Sequence, residues 1–126
     1  MDVKELIPKH KHDHKSIAKL KELPFEQIRP IVPDLLEWLQ DLNWPIAKPL
    51  ADTLKPFIER FIPELIGILN TNDVMWEYSI LISLLRNTTH PLLLAEIERI
   101  AQYPTEDEIE NEVNQEAIDI LNGDYR

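Results

Sequence analysis

A ten-residue pattern occurs twice in this chain, each time with proline in third place. Ile31-Val-Pro-Asp-Leu-Leu-Glu-Trp-Leu-Gln aligns with Phe61-Ile-Pro-Glu-Leu-Ile-Gly-Ile-Leu-Asn, so Pro33 matches Pro63, Asp34 matches Glu64 and Leu39 matches Leu69 at an offset of 30 residues. Allowing two extra residues in the second loop, Asn43-Trp44 matches Met75-Trp76, and a weaker third copy starts at Pro91. A helix pair of this length buries its apolar face only by stacking on its neighbours, which is how an α-solenoid is built. The expected fold is therefore all-α: a short α-solenoid of HEAT-like antiparallel helix pairs, about seven helices in all. Tetratricopeptide and ankyrin units share the period, but their Gly-Tyr-Ala and Thr-Pro-Leu-His patterns are missing.

Ten prolines and two glycines support helices punctuated by proline over strands joined by glycine-rich turns. Residues 1–126, 44% hydrophobic, suit one domain with one core. Residues 1–12 read as an N-terminal lead with freedom to move. With no cysteine, neither a disulfide framework nor a thiolate metal site is available. No apolar run follows Met1, so a secretory signal is not expected and the cytoplasm is the expected compartment. Val74 to Leu85 is too short to cross a bilayer and is interrupted by Glu77.

The helices follow from caps and spacing. Asp13 is placed to cap a first helix that presents Ile17, Leu20 and Leu23 on one face. The second runs from Phe25 to about Leu42, with Pro30 and Pro33 at early positions where a missing N–H costs little. Asn43 is expected to cap the third, whose stripe is Ile46, Ala47, Leu50, Ala51 and Leu54, and Pro56 to stop it. A fourth spans about Glu59 to Leu69. The fifth, from Asn72 to Leu85 and capped by Asp73, is apolar nearly all the way round and is expected to be covered on every side. A sixth follows Pro91 to about Tyr103. In the last, Thr105 and Glu108 form a capping box, Asn122-Gly123 closes the helix, and Ile109, Val113, Ala117 and Leu121 face inward.

The formal net charge is −10, and it is unevenly spread: residues 1–22 carry six lysines against four acids, residues 96–126 two bases against ten acids. Such a surface repels a phosphate backbone, so nucleic acid is excluded as the expected partner and a basic protein is favoured. Asp34, Glu37 and Asp41 line one face of the second helix around Trp38, which makes them the first partner-binding candidates. Glu108, Glu112 and Glu116 on the last helix are the second set. Trp44 and Trp76 occupy matching repeat positions, where wedging adjacent units together outweighs ligand stacking or pairing with an anion clamp of Arg29, Arg60 or Arg86. Pro33, Pro63, Asn43 and Asp73 join them as structural repeat positions.

His10, His12 and His14 alternate, and in an extended segment their imidazoles would share a side as a zinc or nickel site requires. Asp13 as a helix cap spoils that alternation, so a solvated segment is the preferred reading. Ser79 and Ser83 lie on the apolar helix without a neighbouring His or Asp, and Gly67 and Gly123 form no phosphate-cradling loop. No catalytic motif and no cofactor site follow.

Leu35-Leu-Glu-Trp-Leu-Gln-Asp-Leu-Asn-Trp-Pro, with Ile7-Pro8 and Lys11-His12-Asp13 before it and Asp73 and Trp76 after it, resembles a bacterial family catalogued as domain of unknown function 5071. The resemblance spans nearly the whole chain and implies a compact HEAT-like fold without an assigned activity or cofactor. It departs from the family pattern at Ile58, where a glycine is expected after Phe57. The expected function is thus a non-enzymatic protein-binding module, for instance one of immunity or antitoxin type acting on a basic partner. The alternative is a metal-dependent protein or enzyme using His10 to His14 with the second-helix carboxylates.

Overall fold

Several helices here begin where a side chain accepts a first-turn N–H or a proline stands in place of one. The computed structural model describes residues 2–126, and among them the regular elements are all helical. α1 (His14–Leu20) opens at Asp13, whose carboxylate accepts from the Ser16 amide at 3.2 Å and the Ser16 hydroxyl at 2.8 Å. Burial pushes the Asp13 carboxyl up, but these donors and the Lys9 amide outweigh it and hold the group below its ordinary range. Ile17 and Leu20 are buried as expected. The lead is docked: Val3–Leu6 forms a 3-10 turn that buries Leu6, and the Lys11 carbonyl accepts from the Ile46 amide at 3.2 Å.

The helix expected from Phe25 to Leu42 is broken twice. α2 (Phe25–Ile28), a 3-10 turn (Arg29–Ile31) and α3 (Val32–Glu37) replace it, because Pro30 and Pro33 each lack the N–H that a continuous helix would donate. Leu35, Leu36 and Leu39 stay buried all the same. Asn43 does not cap the next helix. The Asp41 carboxylate takes the Asn43 amide at 2.8 Å, which folds the segment into a turn, and α4 (Ala47–Leu54) starts only after Ile46. Its stripe of Ile46, Ala47, Leu50, Ala51 and Leu54 is buried as expected. A 3-10 turn (Lys55–Arg60) carries Ile58, half-buried, and delays the fourth expected helix, so α5 spans Ile62–Leu69 with Pro63 in its first turn. Phe25 stacks on Phe57 and Phe61 at 5.1 and 6.1 Å between ring centres, while Arg60 pairs with Glu26 and lies over the Phe25 ring.

α6 (Val74–Ile80) begins at Asp73, which accepts from the Trp76 amide at 3.2 Å, and its last turn continues as a π-helical segment, Leu81–Leu85. This run is not covered on every side. Ile80, Leu81, Leu84 and Leu85 are buried, whereas Met75 is 62% and Tyr78 37% exposed. α7 (Pro91–Gln102) starts with His90 accepting from the Leu92 amide. The last expected helix is split into α8 (Glu106–Glu110) and α9 (Val113–Leu121) by Glu112, which sits at φ 60°. The capping box of Thr105 and Glu108 forms as expected. The break changes which face points inward: Val113, Ala117 and Ile120 are buried, but Ile109 and Leu121 are exposed. α7 packs on α9 and α5, α6 packs on α5 and α9, and α1 on α4. None of the helices described is long and apolar enough to cross a membrane.

Candidate functional site

The outward face of α6 forms one wall of a groove of about 350 Å³, lined by Val74, Met75, Tyr78 and Ser79 with Asp41, Leu42 and Asn43 opposite and Asn111 at one end. Two bonds hold the walls in place. Trp76 Nε1 donates to the Leu36 carbonyl at 3.0 Å, fixing α6 against the end of α3, and Ser79 Oγ donates to the Gln40 carbonyl at 3.5 Å. Asn72 ties the start of α6 to α8, donating to Asp107 at 2.8 Å and accepting from Thr105 Oγ1 at 2.7 Å. The groove offers exposed thioether and phenol surface beside one carboxylate, which suits an apolar side chain on a basic partner.

Asp41 is the one member of the second-helix acidic set that lines this groove. Asp34 and Glu37 stand exposed on α3 itself. Trp38 is half-buried and meets Trp44 edge to face, with ring centres 5.3 Å apart. Trp44 and Trp76 are half-buried too, so the expected contrast between an exposed Trp38 and a buried pair does not hold.

The second acidic set does not share one exposed face. Glu108 is 1% exposed and bridges to Arg99 at 2.9 and 3.3 Å; Glu116 is 5% exposed and bridges to Arg86 at 2.9 Å. Burial opposes ionisation of Glu108, but the neighbouring Glu77 carboxyl, the Thr105 amide and Arg99 outweigh it and hold its carboxyl low. Tyr125 donates to Glu116 at 2.8 Å and lies under the Arg86 guanidinium, 4.1 Å from ring centre to charge. The bond to Glu116 pushes the Tyr125 phenol up and, with burial working against it, raises Arg86 as well. Glu112 alone is exposed, in the left-handed turn. A straight amphipathic helix would have placed all three acids outward; the break at Glu112 turns two of them in.

His10, His12 and His14 are exposed, and His10 Nδ1 accepts the His12 amide at 3.2 Å. Among the described residues no group of three His, Asp or Glu side chains is placed to hold a metal ion. Ser83 Oγ donates to the Ser79 carbonyl at 2.6 Å, so both helix serines are engaged by backbone.

Glu77 is the feature the sequence signalled without explaining, the one charge in the most apolar stretch. It is wholly buried, and burial together with the adjoining Glu108 pushes its pKa up to about 9. Two carboxyls driven apart in this way resemble an acid–base pair. No solvent-exposed surface of Glu77 remains for a substrate to reach, however, and a packing role fits better.

The model of a family described as Domain of unknown function (DUF5071) matches residues 6–121. Among curated proteins nothing matches the chain.

Proposed function

The chain belongs to the DUF5071 family, and from that premise we propose that it is a non-enzymatic protein-binding module that grips a basic partner in the groove of α6. The observation that carries the proposal is the exposure of Met75 and Tyr78 on a helix whose Glu77, Ser79 and Ile80 are buried, beside Asp41. An aliphatic or aromatic anchor from the partner would fill the groove, and the surrounding negative field of a chain with net charge −10 would steer a basic surface towards it. In this reading the helix pairs form a short HEAT-like stack, supported by the Pro33 and Pro63 repeat, and the groove opens between successive pairs. Neutralisation of a basic cytosolic toxin is a concrete role compatible with small size and acidity.

Partner capture from native cytosol, followed by binding kinetics, tests this. Met75→Asp with Tyr78→Ser should speed dissociation of the captured partner at least tenfold, because a desolvated anchor acts on the dissociation rate. Asp41→Asn keeps the backbone bond to Asn43 and should mainly slow association and flatten its salt dependence. Unaltered rates in both variants would refute the groove as the interface.

A further inference from the structure

Glu77 lies on α6 with no water-accessible surface, and among the described residues no N–H or O–H of another residue reaches either of its oxygens. What it meets is a second acceptor, the Glu108 carboxyl. The donors that reach Glu108 are Arg99 Nη1 and Nη2 at 2.9 and 3.3 Å and the Thr105 amide at 2.9 Å, and none of them reaches Glu77. Two facing carboxyls bond only when one carries a proton, and an isolated buried carboxylate is among the costliest groups to place in a core. We propose that Glu77 is neutral in the folded protein and donates its proton to the Glu108 carboxylate, so that one proton acts as a clamp between α6 and α8.

The surroundings bear this out from each side. Arg99 of α7 carries the one positive charge in the cluster, and its Nε is shared only with Glu96, 3.7 Å away, so two or more acids compete for one guanidinium. Asp73, the cap of α6, adds further negative charge. On α9 the buried acid Glu116 is taken by Arg86, and on α5 Glu64 is exposed. Asp41 lies on the other side of α6, in the groove. Among the described residues of these elements, Arg99 is the cation that acts on Glu77. The same helix carries Met75 and Tyr78, and α8 ends at Asn111, so the clamp lies behind one wall and one end of the groove without depending on what the groove holds.

The linkage has a definite sign. Glu77 ionises with an ordinary carboxyl pKa of 4.5 when unfolded and at about 9 when folded, so between these values the folded state holds one proton more. Its contribution is therefore full below the unfolded value and is lost as pH rises through the folded one. Chemical denaturation from about pH 5.5 to 8 should show the folding constant of the native chain falling about tenfold per pH unit relative to Glu77→Gln, which keeps a neutral donor to Glu108. Glu77→Gln should therefore be the more stable protein at pH 8. Parallel pH profiles for the two would overturn the clamp. Should that variant fail to fold, carbon-13 NMR of the native Glu77 carboxyl decides: a midpoint near 9 supports the proposal, and one near 4.5 overturns it.

Discussion

The indole Nε1–H of Trp76 donates to the backbone carbonyl of Leu36 at 3.0 Å, across 40 positions of sequence. Leu36 lies in the last turn of α3, where its carbonyl accepts the Leu39 amide at 3.0 Å and has a second lone pair open to the indole. One side chain thereby joins the first turn of α6 to the end of α3. Trp76→Phe keeps most of the ring but removes the donor, and should cost about 0.5–1.5 kcal/mol in denaturant unfolding, the usual range for one lost hydrogen bond whose acceptor keeps another donor. No loss would mean that water replaces the bond.

Trp38 and Trp44 act as a pair. Each is half-buried, and their rings meet at 64° with centres 5.3 Å apart. A double-mutant cycle with Trp38→Ala and Trp44→Ala should give a coupling of about 0.5–1.5 kcal/mol. Additive losses would show that each ring packs independently.

Arg99 should be the most sensitive polar residue. It satisfies Glu108, donates from Nη2 to the Leu69 carbonyl at 2.8 Å, and tempers the charge around Glu77. Removing one partner of a buried pair leaves the other charge unanswered, so Arg99→Ala should cost about 3–5 kcal/mol near neutral pH. A loss under about 1 kcal/mol would show that Glu108 is reached by water.

Glu112 holds a backbone conformation that an L-residue with a Cβ resists, φ 60°. Glu112→Gly should stabilise the chain by up to about 1 kcal/mol, read as a raised melting temperature, since glycine adopts this region freely. Asn72, at φ 61°, should behave oppositely: its side chain bonds Asp107 and Thr105, so Asn72→Gly loses more than it relieves. A stabilised Asn72→Gly would refute the role given to those bonds.

Local chemistry was legible from the chain alone. Asp13, Asp73 and the Thr105–Glu108 box each cap the helix they were expected to cap, because a cap is a bond between residues two or three apart and needs no tertiary partner. The stripe from Ile46 to Leu54 was equally plain, since a 3.6-residue period survives whatever the neighbours are. Asn43 failed for the complementary reason: Asp41 competes for its amide locally, and the Lys11 carbonyl, far away in sequence, takes the Ile46 amide where the helix was expected to be under way.

Helicity and the absence of any thiol chemistry were thus decided by sequence, through spacing, proline and composition. Which acids face water was decided only by tertiary structure. Glu108 and Glu116 look like surface residues in any helical projection, and they turn inward because Glu112 breaks the helix and because Arg99 and Arg86, contributed by other elements, stand where a buried carboxylate needs a counter-charge. Met75 and Tyr78 show the reverse. Their apolar helix seemed to demand full cover, yet one face lies open, because burial depends on what the rest of the chain has left to pack against it.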